Sequence, residues 1–314
     1  MKYLVTGASG FIGTELCSQL RASGEEVVAV SRSGAALPDG SPTLALDFAS
    51  DQLDDALLAG VDTVFHLAGI AHTRAAATDY ERVNFQATVN LAAAARSAGV
   101  RCFVFLSSTK AMGPPGTGGV RSEADFALSD DPYGLSKWQA ESALREAEQD
   151  GTMATVILRP ALVYDHHAKG NLAMLAKAAR NGLPRPPVAG ARSMIARSDL
   201  VQLMCSLPAL ELAGVNTWIV TDGQHYTARR VYDALRSADK SSPGNAWLPQ
   251  WCWRTAAAVY DLARGESIGT TSAKLFGEEL YSNAALIKAT GWQPTLTLES
   301  VLQKQLVSAG ELKQ

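Results

Sequence analysis

The stretch Thr6-Gly7-Ala8-Ser9-Gly10-Phe11-Ile12-Gly13 decides the fold of this chain. It directly follows a short apolar run at residues 3–6, and a helix-like segment begins at Phe11. Because glycines lack side chains, the backbone N–H groups of such a turn can approach a pyrophosphate at the positive end of the helix. The stretch therefore predicts a dinucleotide site. The residues expected to contact the dinucleotide are Gly7, Ser9, Gly10, Phe11, Ile12 and Gly13.

Short apolar runs alternate with helix-like segments through the first half of the chain. The predicted strands are residues 3–6, 26–31, 43–46, 63–67, 102–107 and 155–158. The clearest helices between them are residues 11–23, 80–98 and 132–149. Strands that are apolar on both faces and alternate with helices are typical of a buried parallel sheet. We therefore expect an α/β fold with a doubly wound parallel sheet of the Rossmann type.

The second half of the chain is less regular. The segment Gly182-Leu183-Pro184-Arg185-Pro186-Pro187 is incompatible with a helix or a central strand. We expect residues 1–164 to form the NADP-binding Rossmann domain, with strand elements near residues 193–221 returning to it. Residues 165–314 are expected to form mainly a smaller substrate lobe.

Composition excludes several classes of function. The chain has 314 residues, 47% hydrophobic and 19% charged, and a formal net charge of −3, which is ordinary for a soluble enzyme and unlike a nucleic-acid-binding surface. No stretch approaches the ~20 apolar residues of a membrane helix, and no secretory signal is recognisable, so we expect a cytoplasmic protein. The four cysteines lack metal-ligand spacing, so no metal is expected.

The end of the second strand indicates which dinucleotide binds. An acidic residue there would bind the ribose 2′-hydroxyl of NAD, but this chain has Ser31-Arg32-Ser33. A guanidinium between two hydroxyls suits a 2′-phosphate, so NADP(H) is favoured. The alternative is NAD, with Arg32 stacked on the adenine. Two further segments are expected to line the cofactor: Asp47-Phe48 and Leu67-Ala68-Gly69.

Tyr133 and Lys137 lie four residues apart, on one face of a predicted helix. A phenol has an ordinary pKa near 10, so it needs help to act as an acid or base at neutral pH. We expect the lysine to lower that pKa and to hold the nicotinamide ribose. Ser108 is expected to hold the substrate oxygen. Asn84 is expected either to complete the proton relay or to fix its helix.

Together these residues resemble the extended short-chain dehydrogenase/reductase superfamily. The motifs that carry the resemblance are the glycine-rich stretch, His66-Leu67-Ala68-Gly69, Ser107-Ser108, Tyr133-x-x-x-Lys137, Leu158-Arg159-Pro160 and Gly291-Trp292-Gln293-Pro294. The match runs nearly end to end. It implies a Rossmann fold, action on nucleotide-activated sugars and a homodimer formed through the helices at 80–98 and 132–149. It also places Pro160 and Val163 at the cofactor.

A narrower resemblance is to bacterial UDP-4-keto-6-deoxy-N-acetylhexosamine 4-reductases of surface-polysaccharide synthesis. It is carried by residues 107–113, Lys169-Gly170-Asn171-Leu172, Gly182-Leu183-Pro184 and Ala191-Arg192-Ser193. The resemblance implies that Asn171 and Arg192 hold the nucleotide diphosphate. Lys110 is expected either to contact the substrate or to be a surface lysine.

The chain departs from the family pattern at three places. The family usually has Val-Tyr-Gly-Pro where this chain has Val163-Tyr164-Asp165-His166-His167, which changes the loop over the substrate. The acidic residue expected near Tyr281-Ser282-Asn283 is missing, and the usual Asn-Arg-Arg-Ser run is Gly190-Ala191-Arg192-Ser193.

Trp251-Cys252-Trp253 is expected to pack the small lobe or an oligomer contact.

The resulting hypothesis is NADPH-dependent reduction of the C4 keto group of a nucleotide-activated sugar, with UDP as the expected nucleotide. The alternative enzyme is a 4-epimerase, which retains NAD and returns the hydride to the other face of the sugar. A non-catalytic NADP-binding sensor or scaffold is a third possibility. Such a protein typically lacks the tyrosine or the lysine, and this chain has both.

Overall fold

The computed structural model describes residues 1–51, 54–71, 75–115, 118–148, 151–166, 170–242, 244–245, 248–265 and 267–303. The strands are β1 (Lys2–Thr6), β2 (Glu26–Ser31), β3 (Leu44–Ala45), β4 (Thr63–His66), β5 (Cys102–Leu106), β6 (Val120–Arg121), β7 (Ala154–Pro160), β8 (Leu162–Tyr164), β9 (Ala191–Ala196), β10 (Val215–Val220), β11 (His225–Tyr226) and β12 (Glu278–Tyr281). The α-helices are α1 (Gly13–Ala22), α2 (Ala77–Tyr80), α3 (Ala87–Ser97), α4 (Pro132–Ala147), α5 (Gly170–Arg180), α6 (Arg197–Ser206), α7 (Ala228–Ala238), α8 (Gln250–Ala263), α9 (Thr270–Phe276) and α10 (Ala284–Thr290).

A seven-stranded sheet organises the chain, in the order β10-β7-β5-β4-β1-β2-β3. Every neighbouring pair is parallel, which confirms the predicted doubly wound α/β fold. The strand order reverses at β1, which pairs with β2 on one side and β4 on the other. In sheets of this kind, ligands bind outside the carboxyl ends of the strands at the point of reversal. The glycine-rich turn leaves β1 at that point.

The central strands are buried on both faces, as their apolar composition predicts. Val5 and Val104 belong to one apolar core together with Leu16 of α1, whereas the adjacent Leu4 belongs to the other core together with Leu91 of α3. Successive side chains of a strand point to opposite faces, so neighbouring residues fill different cores. Helices on both sides thus fix the sheet and the turn that follows β1.

A second sheet has the order β11-β9-β12-β6, and β8 pairs with β9. It is built from strands of two to six residues that come from distant parts of the chain. Four of these strands have only two to four residues, which is too short for a recognisable periodicity, so the sequence did not predict them. The fifth, β9, overlaps the strand elements predicted near residues 193–221. β10 joins the large sheet beside β7, whereas β9 lies in the small one. The division into two lobes at residue 164 stays a prediction.

The predicted helix at residues 80–98 is interrupted. It consists of α2, a wider π-helical segment at Glu81–Gln86, and α3. π-Helical segments are rare in proteins, and those that do occur are frequently found at functional sites. Here the segment carries Asn84. Across the parts of the chain with described structure, no helix is long and apolar enough to span a membrane.

Candidate active site

The glycine-rich turn is too tight for side chains at two of its positions. Gly7 has φ of 67°, and a Cβ there would lie 2.8 Å from the backbone nitrogen of Ala68. A Cβ on Gly13 would lie 2.3 Å from the carbonyl oxygen of Gly7. Where the structure describes the chain, no side chain caps the N-terminus of α1. The turn therefore offers backbone and a helix end to a ligand, which fits a dinucleotide pyrophosphate.

A buried histidine supports the turn from the neighbouring strand. His66 Nδ1 lies 2.8 Å from Thr6 Oγ1, and Nε2 lies 2.9 Å from Thr88 Oγ1. Burial, with a smaller effect from Lys137, lowers the pKa of His66 to about 3, so the imidazole is neutral. The Thr6 hydroxyl also accepts a hydrogen bond from Ala68 N at 3.1 Å. These contacts fix the segment after β4, where Leu67, Ala68 and Gly69 are expected to line the cofactor.

At the end of β2 the three predicted phosphate contacts differ in exposure. Ser31 is buried, and its Oγ lies 2.7 Å from Thr43 Oγ1 and accepts a hydrogen bond from Gly34 N at 3.1 Å. Arg32 and Ser33 are exposed. The guanidinium is therefore accompanied by one exposed hydroxyl rather than two.

The predicted adenine contacts lie in the turn after β3. Asp47 Oδ1 accepts a hydrogen bond from Ala49 N at 3.0 Å, so this carboxylate shapes the turn. Phe48 packs edge-on against His66, with ring centroids 6.1 Å apart. Further along the chain, Pro160 is buried at the end of β7 and Val163 is half-buried in β8.

The first turn of α4 brings Tyr133 close to the strand end that carries Ser108. Asp131 caps the helix by accepting a hydrogen bond from Gly134 N at 3.0 Å, and proline occupies the first turn. A Cβ on Gly134 would lie 2.5 Å from the carbonyl oxygen of Lys110. Only glycine permits this approach, so Gly134 determines how close the phenol comes to the strand end.

The two serines after β5 have different surroundings. The buried Ser107 donates its hydroxyl hydrogen bond to Glu141 Oε1 at 2.5 Å. Ser108 is half-buried and caps the short helical turn Thr109–Met112, and its side chain acts to lower the pKa of the Tyr133 phenol. The structure thus brings Ser108, rather than Ser107, together with the phenol.

The protonation of Tyr133 differs from the expectation. Burial raises the pKa of the phenol to about 12, and the side chain of Ser108 acts in the opposite direction. Lys137 does not contact the phenol in this way: its Nζ donates to the carbonyl oxygen of Leu106 at 2.9 Å and lies 4.5 Å from the ring centroid of Phe105. The ammonium is directed to backbone and an aromatic face. Tyr133 is therefore a protonated phenol, able to donate a proton.

Lys137 is almost completely buried, and this changes its own acidity. Burial lowers the pKa of the ammonium to about 8, while the charge of Glu141, one helical turn further on, raises it. Glu141 was not predicted as a site residue. It lies on the same face of α4 as Tyr133 and Lys137, and it forms a buried ion pair with Arg159 at 2.5 Å. Its spacing of four residues from Lys137 is the signal that could have found it.

Asn84 holds the loop that follows β4. Its Oδ1 accepts a hydrogen bond from Ile70 N at 2.7 Å, and its Nδ2 donates to Ile70 O at 3.0 Å and to Ser136 Oγ at 3.2 Å. A Cβ on Gly69 would lie 2.9 Å from Asn84 Oδ1 and 3.5 Å from Lys137 Nζ. The amide thus ties this loop to α4 beside Lys137.

The predicted substrate residues Lys110 and Arg192 share one carboxylate. Lys110 Nζ lies 3.1 Å from Glu279 Oε1, and Arg192 Nη1 lies 3.8 Å from Glu279 Oε2. Burial opposes ionisation of Glu279, but Arg192, Lys110 and Arg121 together hold its pKa below the usual value. Sequence reasoning missed this glutamate. Asn171 lies in the first turn of α5, and its side chain is outside the described part of the structure.

Neither His66, at the end of β4, nor His166, in the altered loop, belongs to a metal site among the described residues. His66 is saturated by two threonines, and His166 Nδ1 lies 2.6 Å from Asp165 Oδ1. Among the described residues, no group of three His, Cys, Asp or Glu side chains is arranged to hold a metal ion. His72 and His167 lie outside the described residues.

The fold and the site together define an enzyme of the extended short-chain dehydrogenase/reductase type, with a dinucleotide turn beside a Ser-Tyr-Lys group. The chain belongs to the NAD dependent epimerase/dehydratase family, whose model matches residues 3–204.

Known relatives are similar to the chain over most of its length. The UDP-glucose 4-epimerase of Vibrio cholerae is 29% identical over 311 residues, which cover 94% of this chain and 92% of that protein. An N-acetyl-alpha-D-glucosaminyl-diphospho-ditrans,octacis-undecaprenol 4-epimerase of Escherichia coli O157:H7 is 32% identical over 57% of this chain and 54% of that protein. Among solved structures, MoeE5 in complex with UDP-glucose and NAD has a TM-score of 0.76 and 26% identity, and all of both chains is covered.

Proposed function

We propose that this chain transfers hydride to C4 of a UDP-linked 4-keto-6-deoxy sugar, with NADPH as the donor. The observation that carries the proposal is the exposed Arg32 at the end of β2, accompanied by Ser33. A cation and a hydroxyl at this position suit the 2′-phosphate of NADP(H). A site that recognises this 2′-phosphate favours a reaction that consumes NADPH, which is a reduction. The product would serve the synthesis of surface polysaccharides.

The side chains of α4 and the end of β5 would perform the proton transfer. Tyr133, a phenol whose pKa is raised to about 12, would donate its proton to the oxygen at C4. Ser108, whose side chain acts on that phenol, would hold the same oxygen. Lys137 would hold the nicotinamide ribose. The dinucleotide, when bound, supplies the hydride.

The substrate's diphosphate would lie beside the small sheet. Lys110 and Arg192 meet there at Glu279, and a diphosphate could draw both cations away from this carboxylate by charge-assisted hydrogen bonds. Asn171, at the start of α5, would complete this set. The solved complex of MoeE5 with UDP-glucose supports a uridine diphosphate as the carrier of the sugar.

A second candidate is a UDP-sugar 4-epimerase that keeps NAD bound. The Vibrio cholerae relative that covers 94% of this chain is named a UDP-glucose 4-epimerase, and the MoeE5 structure contains NAD. The same Ser108, Tyr133 and Lys137 would serve both reactions. The two candidates differ in net redox change, since only the reductase consumes a reduced cofactor.

The test is a comparison of bound and consumed cofactor. The purified chain is assayed for NADPH and NADH oxidation with UDP-, dTDP- and GDP-4-keto-6-deoxy sugars, and its bound dinucleotide is released and quantified. The proposal predicts rapid NADPH oxidation with a UDP sugar and little retained NAD. Stoichiometric NAD with interconversion of UDP-glucose and UDP-galactose would establish the epimerase instead. Tight cofactor binding without turnover of any sugar would indicate a non-catalytic protein.

A further inference from the structure

Helix α8 packs on the rest of the chain with one narrow face. Trp253, Ala257 and Asp261 are buried, and their spacing of four residues places them in one row. The Asp261 carboxylate accepts hydrogen bonds from Gly269 N at 2.9 Å and Thr271 N at 3.0 Å, at the start of α9. This row therefore packs against the rest of the protein, and Asp261 anchors it to the start of α9.

The opposite face of α8 is apolar and exposed. Trp251, Val259 and Leu262 lie on it, with exposed fractions of 68%, 63% and 70%. Ile268, in the turn that follows, is 70% exposed. A helix that is apolar on both sides is normally buried on both sides. Exposed apolar side chains clustered in this way usually mark an interaction surface, whereas scattered ones are ordinary.

The exposed charged side chains that the structure describes on α8 and at its end are cationic. Arg254 is exposed on α8, and Arg264 is exposed at its end, where its Nη1 donates to the Tyr260 hydroxyl at 2.9 Å. Asp261 is the acidic residue of segment 250–265, and it is fully buried. The exposed charged side chains of this segment are therefore cationic, although the whole chain has a net charge of −3.

We propose that this face of α8 docks on the surface of an anionic lipid bilayer. Trp251 and Leu262 would enter the boundary between headgroups and acyl chains, while Arg254 would pair with lipid phosphates. A second copy of the chain fits less well. Across an isologous interface the arginines of both copies would be brought together, and the described part of α8 offers no exposed carboxylate to pair with them.

Hydrogen bonds connect this surface to the small sheet. Asp261 joins α8 to α9, and Arg192 Nη2 of β9 donates to the carbonyl oxygen of Ala273 in α9 at 3.1 Å. Docking would therefore position the whole chain relative to the membrane. The inference does not depend on which sugar reaction is catalysed.

Co-sedimentation of the purified full-length chain with vesicles tests this inference. We expect binding to vesicles that contain phosphatidylglycerol, and at least about tenfold weaker binding to pure phosphatidylcholine. The double variant Trp251→Ser, Leu262→Ser should weaken binding by about tenfold or more, because the buried apolar area drives insertion. Arg254→Gln should weaken it less and reduce its sensitivity to salt.

Leu44→Ser is the matched control, since Leu44 is 50% exposed on β3 at the far edge of the large sheet. It should bind vesicles like the wild type. All variants change exposed residues, so circular dichroism and cofactor binding should be unaltered. Two results would overturn the inference: no binding of the wild type to phosphatidylglycerol vesicles, or a wild-type dimer that the double variant converts to monomer without any change in vesicle binding.

Discussion

The guanidinium of Arg197 lies 2.8 Å from the carboxylate of Asp165. This contact joins the altered loop after β8 to the glycine-rich turn. Arg197 Nη1 donates to the carbonyl oxygen of Phe11 at 3.2 Å, and its charge lies 4.8 Å from the centroid of that ring. Glu15 of α1 accepts a further contact at 3.2 Å. Asp165 stands where the family usually has glycine. The departure from the family pattern thus supports the dinucleotide site.

Asp165→Asn should therefore weaken dinucleotide binding. The neutral amide would remove one of two carboxylates from Arg197, so the guanidinium would hold Phe11 less firmly, and we expect affinity to fall about tenfold. Turnover at saturating cofactor should change little. Fluorescence titration with the dinucleotide provides the measurement. Glu15→Gln, which changes the more exposed carboxylate, should have a smaller effect, and equal affinities in all three proteins would refute the link.

Arg32→Asp should reverse the cofactor preference. Loss of a charge-assisted bond to the 2′-phosphate costs about 1.5–3 kcal/mol, or about 10–100-fold in affinity for NADPH. The carboxylate could instead bind the two ribose hydroxyls of NADH. The ratio of kcat/KM for NADPH and NADH measures this directly. Ser33→Ala should lower the ratio only slightly. An unchanged ratio in the aspartate variant would assign Arg32 to adenine stacking.

Tyr133→Phe should lower turnover by about 10²–10⁴-fold, the usual contribution of a positioned proton donor. Dinucleotide affinity should stay near that of the wild type, because the turn at Gly7 is untouched. Tyr80→Phe is the matched control, since its ring packs 6.2 Å from that of Tyr133 but its hydroxyl has no proposed role. Near-normal turnover in the Tyr133 variant would exclude the proposed proton transfer.

The sequence predicted the large sheet and the tight glycine-rich turn because both depend on local patterns. Gly7 and Gly13 are needed within one turn, and Tyr133 and Lys137 lie on one helix face. Glu279 illustrates what could not be predicted. It meets Lys110 across 169 residues of sequence, in a sheet of very short strands. Which distant segments pair in such a sheet depends on tertiary packing, so the carboxylate that pairs with both Lys110 and Arg192 was missed.

The pKa values of Tyr133 and Lys137 were also harder to predict than the positions of the two residues. The spacing of Tyr133 and Lys137 correctly places both on α4, but it does not reveal how deeply each is buried. In the structure, burial raises the pKa of the tyrosine and lowers that of the lysine, and Lys137 donates to Leu106 O. Desolvation is a property of the packed fold and therefore lies outside what residue spacing can indicate.

The buried His66 predicts a loss of stability in acid. Its pKa is lowered from 6.5 to about 3 in the folded chain, mainly by burial. Between these values the unfolded chain binds a proton that the folded chain does not, so the free energy of unfolding falls as the pH decreases through this range. The contribution of His66 is fully present above about pH 6.5, and its slope approaches about 1.4 kcal/mol per pH unit below that.

Urea unfolding of the wild type and of His66→Gln at pH 7.5 and pH 5 measures this effect. The glutamine can still hydrogen-bond to the hydroxyls of Thr6 and Thr88 but has no proton to gain. The wild type should therefore lose about 2 kcal/mol more than the variant between the two pH values. Other acid-sensitive groups contribute equally to both proteins, so the difference isolates this residue. Parallel stability changes in the two proteins would show that His66 binds a proton as readily in the folded chain as in the unfolded chain, and would refute its burial in the neutral form.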